Sequence, residues 1–207
     1  MNREAVNSKA EMALWSESVL PWNYRPDDVL LQEILKISKP MGMINLIGVN
    51  SNVPGNVKTI INSVYCLSSD GRVQGRYDKS VLLGFLEKPA FGMVVLFFVD
   101  NFLLLEGNNP RPLKTPFGQA GVIICNESLV SSAASNMAVK GAEFLVNPSN
   151  DSWYVKSDVA SFHFFNTRLR AVETRKDVVI NCNKGISGLV KASGRIASFR
   201  KGDHSFV

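Results

Sequence analysis

The sequence lacks a membrane-spanning stretch, a signal peptide and a cluster of basic residues. No run reaches the ~18 uninterrupted apolar residues that a spanning helix needs, and Glu4 and Glu11 interrupt what would have to be the apolar core of a leader. The 23 Lys and Arg against 18 Asp and Glu give a formal net charge of +5, but they are scattered along the chain. We therefore expect a soluble domain that has no nucleic-acid partner.

Cysteine is also scarce. The three residues, Cys66, Cys125 and Cys182, form no CxxC pair, so the sequence predicts neither a disulfide framework nor a zinc site. The odd number leaves at least one thiol free. No metal ion and no cofactor is expected.

Apolar residues make up 45% of the 207 residues, enough for a substantial core. Runs of β-rich residues alternate with helical patterns, which predicts a mixed α/β class with helices covering a sheet. Strands are predicted near 12–15, 43–49, 60–67, 73–77, 121–125, 143–147, 177–181 and 185–191, with a last one ending near Phe199. Helices are predicted over 28–38, 131–140 and 158–174. A polar loop is expected over 50–56.

Two of these helices carry apolar residues at helical spacing, and we expect those residues to face the core. They are Val29, Leu30, Ile34 and Ile37 in the first helix, and Phe162, Phe165, Leu169 and Val172 in the last.

Residues 80–117 fit no regular pattern although they are rich in apolar side chains. A long segment of this kind inside a compact domain is often a lid or a binding loop. A buried helix is an equally good interpretation of the same residues.

Cys125 follows the unbroken apolar run from Gly121 to Ile124, so its thiol is predicted to lie at a strand end. Such a position suits a nucleophile, but a lone cysteine is more often a small buried apolar residue. Glu17 and Lys79 each follow a β-rich run as well. Glu17 could accept the thiol proton and Lys79 could stabilise an oxyanion, if the fold brings them together. Taken singly, both are ordinary surface charges.

The motifs in chain order resemble the signatures of the nitrilase superfamily. They are Trp15-Ser16-Glu17-Ser18, Asn62-Ser63, Asp70-Gly71-Arg72-Val73, Tyr77-Asp78-Lys79 and Gly121-Val122-Ile123-Ile124-Cys125-Asn126-Glu127. The resemblance implies a four-layer α-β-β-α sandwich that uses a Glu-Lys-Cys triad. Residues 1–207 would form a single nitrilase-like domain in which 80–117 is a lid or loop insertion. It would lack the superfamily's usual first strand and helix, so we expect a fragment, a split gene product or a stand-alone domain.

Further motifs narrow the resemblance to the catalytic domain of apolipoprotein N-acyltransferases. They are Asn147-Pro148-Ser149-Asn150-Asp151-Ser152-Trp153, His163 with Arg168-Leu169-Arg170-Ala171-Val172-Glu173, and Asn183-Lys184-Gly185. This resemblance implies that Glu17 is the general base, Lys79 the oxyanion-stabilising lysine and Cys125 the nucleophile. Supporting roles would fall to Glu87, Asn126 and Glu127, although the family usually has an aromatic residue where Asn126 stands. Asn150, Asp151 and Trp153 would form a substrate loop.

The resemblance also implies a reaction and its partners. A phospholipid would donate an acyl chain to Cys125, and the N-terminal amine of a lipoprotein would accept it. An apolar loop would contact the membrane surface, at the extracytoplasmic face of the bacterial cytoplasmic membrane. Two alternatives stay open: a soluble nitrilase-like amidohydrolase with the same triad, and an inactive remnant. We expect His163 to be a packed, hydrogen-bonded residue, and Arg168, Arg170 and Glu173 to form a surface ion network.

Overall fold

The computed structural model describes residues 9–84, 87–88, 103–154 and 158–202, without the side chain of Trp153. Within these ranges the strands form two six-stranded sheets. The strands are β1 (Met12–Leu14), β2 (Leu20–Asn23), β3 (Ile44–Val53), β4 (Asn56–Leu67), β5 (Val73–Asp78), β6 (Leu103–Leu104), β7 (Leu113–Thr115), β8 (Gly118–Val122), β9 (Phe144–Asn150), β10 (Val178–Asn183), β11 (Ile186–Val190) and β12 (Ile196–Lys201). The helices are α1 (Val29–Ser38), α2 (Ser131–Val139) and α3 (Val159–Thr174).

The first sheet is built around β3, which pairs antiparallel with β4, while β4 pairs antiparallel with β5. β1 and β2 both run parallel to β3, and β6 runs parallel to β4. β4 and β5 form a hairpin, and Gly71 in its turn has a φ of +85° that favours glycine. The polar loop expected over 50–56 is wrong, because β3 continues to Val53 and only two residues separate it from β4.

The second sheet has the order β12-β11-β10-β9-β8-β7. Its centre is parallel, since β9 runs parallel to both β8 and β10. The carboxyl ends of β8 and β9 therefore lie side by side. This arrangement brings the residues after β8, which begin with Ile123, next to those after β9.

The two sheets pack face to face over one apolar core. Buried residues of the first sheet, among them Leu46, Val64 and Tyr77, share this cluster with Val122 and Ile180 of the second sheet. α1 packs on the outer side of the first sheet. The buried residues of α2 and α3 join the cluster from the second sheet's side. The expected α-β-β-α sandwich is therefore the observed fold class.

α1 begins where the sequence predicts, because the Asp28 carboxylate accepts a hydrogen bond from the Leu31 N–H at 2.9 Å. Its predicted core face is only partly right. Ile34 is buried, together with Leu31 and Leu35, but Val29 is 77% exposed. Leu30 and Ile37 are exposed as well. The sheet therefore contacts a face rotated from the one that we predicted.

α3 departs further from expectation. The residues predicted to face the core are partly or largely exposed: Phe162, Phe165, Leu169 and Val172. The buried face consists instead of His163, Thr167, Arg170 and Ala171. Three of these four residues are polar. The helix therefore turns polar side chains inward, and hydrogen bonds rather than apolar packing fix part of its position.

The segment 80–117 is described only in part, since 85–86 and 89–102 lie outside the described residues. Most of its apolar run is therefore not described. The described part contributes β6 and β7 to the two sheets. Over the described ranges, no helix combines the length and the apolar character needed to cross a membrane.

Candidate active site

The structure brings the predicted Glu17 and Lys79 into direct contact. Glu17 lies in the turn after β1 and Lys79 directly follows β5, and the Lys79 Nζ lies 3.0 Å from Glu17 Oε1. Both side chains are buried: Lys79 is 1% exposed and Glu17 is 8% exposed. The close approach depends on Gly48 of β3, because a Cβ there would lie 2.4 Å from the Ser16 carbonyl oxygen and 2.9 Å from Glu17 Cα.

Lys79 contacts a second carboxylate as well. Glu87 Oε1 lies 2.6 Å from Lys79 Nζ, so the ammonium lies between two acidic groups. Burial lowers the pKa of Lys79, but Glu17 and Glu87 outweigh it and hold that pKa above its ordinary value. Lys79 therefore stays positively charged and cannot act as a base.

Asn62 connects Glu17 and Lys79, although no role was predicted for it. Its Nδ2 donates to Glu17 Oε1 at 2.7 Å, and its backbone carbonyl oxygen accepts from the Lys79 backbone N–H at 2.9 Å. One β4 residue thus orients both the carboxylate and the lysine. Its place in the Asn62-Ser63 motif was the signal that could have identified it.

Cys125 begins a short 3-10 turn, Cys125–Leu129, that follows β8. Its φ is +49°, an unusual value for a residue with a side chain, and such strain often occurs at functional sites. The thiol is buried. Burial raises its pKa, Glu17 and Asp151 raise it further, and Lys79 and a backbone hydrogen bond from Asn150 lower it. The net direction is upward, so the resting form is a thiol that needs a proton acceptor to become nucleophilic.

Glu127 is the best hydrogen-bonded carboxylate of the site and is fully buried. Its Oε1 accepts from the Ser80 N–H at 2.7 Å, the Ser80 hydroxyl at 2.8 Å and the Val81 N–H at 3.0 Å. Its Oε2 accepts from the Ile124 N–H at 2.7 Å, and the Tyr77 hydroxyl lies 2.9 Å from each oxygen. Burial still raises the pKa of Glu127. Glu127 thus ties the segment after Lys79 to the turn that carries Cys125.

Asn126 has few partners. Its Nδ2 reaches only the Val81 carbonyl, at 3.5 Å, and its buried Oδ1 has no hydrogen-bond partner in the described structure.

Asn150 shapes the loop after β9, because its Oδ1 accepts from the Ser152 N–H at 3.2 Å and from Asn183 Nδ2 at 3.2 Å. The Trp153 side chain lies outside the described atoms.

Asp151 is a further carboxylate that acts on the Cys125 thiol. Its Oδ1 is 2.7 Å from His163 Nδ1, and both residues are buried. A donor atom from each of Cys125, Asp151 and His163 lies within 4.8 Å of the other two. Thiolate, carboxylate and imidazole groups are the usual protein ligands of zinc. Asp151 and His163, however, each already use one of these atoms in their mutual hydrogen bond. His163 is thus hydrogen-bonded and packed as expected, but against the site.

The other expected features are found elsewhere. Cys66 and Cys182 are buried free thiols, which agrees with the expected lack of a disulfide framework. Arg170 pairs with Glu173 at 2.8 Å, but it is buried rather than part of a surface network. Arg168 instead donates to the Gly194 carbonyl at 2.6 Å.

A buried thiol, a lysine–glutamate pair and an α-β-β-α sandwich together define a nitrilase-like protein. Solved structures agree on the fold. A carbon-nitrogen hydrolase from Helicobacter pylori G27 matches with a TM-score of 0.72 at 19% identity, over 97% of this chain and 77% of that one. The NitFhit protein of C. elegans matches with a TM-score of 0.79 at 18% identity, over 97% and 52%.

The carbon-nitrogen hydrolase family model matches residues 1–202, and the chain belongs to that family. Among curated relatives, apolipoprotein N-acyltransferase of Borreliella burgdorferi is 28% identical over 95% of this chain and 41% of its own length. The enzyme of the same name from Bdellovibrio bacteriovorus is 38% identical over 58% and 23%. The chain thus spans at most about two fifths of these relatives.

Proposed function

We propose that the protein is an N-acyltransferase domain that moves a fatty acyl chain from a phospholipid to the N-terminal amine of a lipoprotein through a thioester on Cys125. The observation that carries this proposal is the buried Glu17–Lys79 pair, whose charges act on the Cys125 thiol. The name of the curated relatives, apolipoprotein N-acyltransferase, supports acyl transfer to a nitrogen of a lipoprotein.

In the first half-reaction Glu17 takes the proton of the Cys125 thiol. The sulfur attacks the acyl ester carbonyl, and the Lys79 ammonium stabilises the negative charge that develops on the carbonyl oxygen. The S–C bond then forms, the ester C–O bond breaks, and Glu17 returns its proton to the leaving lysophospholipid oxygen. Because Lys79 holds its charge throughout, Glu17 rather than Lys79 is the group that carries the proton from the thiol to the leaving oxygen.

In the second half-reaction the lipoprotein amine attacks the thioester. Glu17 takes a proton from the amine nitrogen as the N–C bond forms, and the S–C bond breaks. The released thiolate then recovers the proton from Glu17. A thioester suits this exchange because it stays reactive toward amines and divides one difficult acyl transfer into two easier steps.

The proposal places the reaction at the extracytoplasmic face of the bacterial cytoplasmic membrane, with the domain's apolar segment in contact with lipid. Leu103 is 51% exposed and Leu105 is 38% exposed at the described end of that segment. We expect Leu103→Asn with Leu105→Asn to weaken sedimentation with phospholipid vesicles. Val57→Asn, at a site that is 90% exposed on β4, is the matched control and should leave vesicle binding unchanged.

Intact-mass analysis after incubation with phospholipid tests the central step. The wild-type chain and Cys66→Ala should both gain the mass of one acyl chain, whereas Cys125→Ala should gain none. Glu17→Gln should slow adduct formation by about 10²–10⁴-fold because it removes the proton acceptor. A wild-type protein that forms no Cys125-dependent adduct would contradict the proposal.

An amide-hydrolysis assay without lipid, run beside the mass analysis, separates the alternatives. Turnover of small amides without lipid would indicate an amidohydrolase in which water is the second acceptor. A folded chain that reacts with no acyl donor would indicate an inactive remnant.

A further inference from the structure

We propose that Cys125, Asp151 and His163 bind one divalent ion of the zinc class, and that the bound ion blocks the Cys125 sulfur as a nucleophile. The lack of a CxxC pair predicts no zinc site in this sequence, but these three donors come from separate parts of the fold. The binding site stands on its own geometry. Its effect on acyl transfer rests on the proposed function, in which Cys125 is the nucleophile.

The three donor groups converge from three elements. Cys125 begins the turn after β8, Asp151 directly follows β9, and His163 lies on the buried face of α3. One donor atom of each residue lies within 4.8 Å of the other two. Zinc–ligand bonds of about 2.0–2.3 Å place two ligands of the same ion about 3–4 Å apart. Closing the site therefore takes side-chain adjustments rather than a change of fold.

Asp151 is a buried carboxylate with few partners. Its Oδ1 lies 2.7 Å from His163 Nδ1, whereas its Oδ2 has no hydrogen-bond partner among the described residues. The Cys182 thiol lies beside it, but a thiol is a weak donor. No ion pair of the described residues joins Asp151 to a lysine or an arginine. A buried carboxylate in this position is costly, and a bound cation stabilises it.

The charges around the thiol also favour a cation. Glu17 and Asp151 both raise the pKa of Cys125, because they oppose negative charge on the sulfur. The same two carboxylates stabilise a positive ion bound to that sulfur. Lys79 acts in the opposite sense, but its ammonium is already bonded to Glu17 and Glu87, at 3.0 and 2.6 Å.

The ion takes the place of two protons. A carboxylate can only accept, so the proton between Asp151 and His163 is on Nδ1. When the ion binds, the S–H bond of Cys125 breaks, an S–metal bond forms and the thiol proton passes to solvent. The imidazole proton moves from Nδ1 to Nε2, and Nδ1 binds the ion together with the carboxylate. Nothing is oxidised or reduced, and the sulfur electron pair is no longer free to attack a carbonyl.

Hydrogen bonds hold two of the donors on a common support. On α3 the Thr167 hydroxyl donates to the His163 carbonyl at 2.9 Å and lies 3.2 Å from Asn147 Oδ1. Asn147 Nδ2 in turn donates to the Ile123 carbonyl at 2.5 Å, two residues before Cys125. The helix that carries the imidazole is thus tied to the backbone that carries the thiol. A site held in this way loses little conformational freedom when the ion binds.

The donor set selects the kind of ion. Thiolate and imidazole ligands suit Zn²⁺, and Co²⁺ can replace it as a spectroscopic substitute, whereas Mg²⁺ prefers oxygen ligands. Three protein ligands leave the fourth position of a tetrahedral zinc ion to water. Mg²⁺ is therefore the matched control ion.

Metal counting tests the site without lipid or turnover. After equilibrium dialysis against Zn²⁺, the tag-free wild-type chain should hold one ion by elemental mass spectrometry. Cys125→Ser, Asp151→Asn and His163→Gln should each weaken binding by at least about 10-fold. Cys66→Ala and His204→Gln are the matched controls and should bind as the wild type does. Thermal unfolding verifies that each variant is folded, and wild-type affinity in folded Cys125→Ser or His163→Gln would overturn the inference.

A spectrum of the wild-type chain needs no ligand variant to fold. Bound Co²⁺ gives a thiolate-to-metal charge-transfer band only when a sulfur is among its ligands. One equivalent of Co²⁺ should produce this band in the wild type and in Cys66→Ala, and Mg²⁺ in excess should not remove it. A wild-type chain without the band, or a band that survives in Cys125→Ala, would contradict the site.

Alkylation by iodoacetamide, followed by peptide mass spectrometry, measures the blocking of the sulfur. At free Zn²⁺ ten times above the dissociation constant, alkylation of Cys125 should slow about 10-fold, because only the ion-free fraction reacts. EDTA should restore the rate, and Mg²⁺ should leave it unchanged. At the same Zn²⁺ concentration His163→Gln should be slowed by less than about 2-fold. Equal protection in that variant, or equal protection of Cys66, would mean that the ion binds single thiols and would overturn the inference.

The two proposals fail separately. One bound zinc ion with these variant effects, beside a chain that forms no acyl adduct on Cys125, would count against the proposed function alone. A chain that forms the Cys125 adduct but binds no zinc would count against the inference alone.

Discussion

Two buried charges near the thiol are stabilised in different ways. The Lys79 ammonium is bonded to two groups of opposite charge, Glu17 and Glu87. The Glu127 carboxylate is bonded to neutral donors, which include the Ser80 and Ile124 N–H groups and the Tyr77 hydroxyl. The Lys79 ammonium and the Glu127 carboxylate lie in the same desolvated region. They differ in whether their bonding partners are charged or neutral.

The difference separates a carboxylate that can serve as a general base from one that holds the site together. A carboxylate paired with an ammonium can take up and release a proton while the lysine stays charged, which is what a general base requires. A carboxylate surrounded by backbone N–H groups joins the segments that supply those donors. We expect changes to the two groups to affect different measurements.

The largest effect should come from Lys79→Met, which leaves Glu17 and Glu87 close together without their cation. We expect the free energy of unfolding to fall by about 3–5 kcal/mol, the usual cost of breaking a buried ion pair from one side. Denaturant unfolding measures it. Lys88→Met is the matched control, because its pair with Glu106 is exposed and should contribute at most about 1 kcal/mol. Equal losses in both variants would contradict the distinction.

Glu127→Gln should lower the free energy of unfolding by about 2–3 kcal/mol near pH 5. The –NH₂ of the new amide would face N–H donors that need an acceptor. Burial raises the pKa of Glu127 above its ordinary value of 4.5, so the folded protein binds this proton more tightly than the unfolded chain. The stability that this tighter proton binding contributes is present below pH 4.5. It is lost as the pH rises through the raised pKa of Glu127 in the folded protein.

The advantage of the wild-type protein over Glu127→Gln should therefore shrink as the pH rises above about 5. Paired thermal melts of the two proteins across pH 5–8 measure this difference, and the carboxylates that they share cancel. A constant or growing advantage would show that the folded protein does not favour the protonated form.

Tyr77→Phe should cost about 1–1.5 kcal/mol, because it removes one of several donors to Glu127 and keeps the ring in the core. Unfolding in urea measures the loss. Tyr24→Phe is a suitable control, since the stacking of that ring on Tyr65 at 4.3 Å does not need the hydroxyl. A loss as large as that of Glu127→Gln would mean that the backbone donors contribute little.

The smallest effect on stability should follow Glu87→Gln, at most about 1 kcal/mol. Glu87 is partly exposed, and Gln retains an oxygen that can accept from Lys79. Lys79 also keeps Glu17. Chemical denaturation alongside Lys79→Met tests this order, and a loss comparable to that variant would show that Lys79 depends on both carboxylates equally.

Much of the fold could be predicted from local pattern. The β4–β5 hairpin follows from Asp70-Gly71 between two β-rich runs, and α1 (Val29–Ser38) closely matches the helix predicted over 28–38. The inward faces of the helices could not be predicted in this way. α3 has phenylalanines at helical spacing, yet it buries His163 and Thr167, which hydrogen-bond to Asp151 and Asn147 in the interior.

The site divides in the same way. Motif resemblance predicted Glu17, Lys79, Glu87 and Glu127, and the structure places each of them in a charged or hydrogen-bonded contact near Cys125. The Asp151–His163 pair and the bridging Asn62 were not predicted as a unit. Their partners lie far apart in the chain, and no local spacing records that separation.

The residues that can do chemistry here are recognisable in the sequence: a thiol after an apolar run, and a carboxylate and a lysine after β-rich runs. The surroundings of these residues follow from the fold. Parallel pairing of β8 with β9 sets Cys125 beside Asp151, and the burial of α3 brings His163 onto that carboxylate. The physical reason is that charge and desolvation depend on distance in space, which strand order and helix rotation fix and which residue spacing does not.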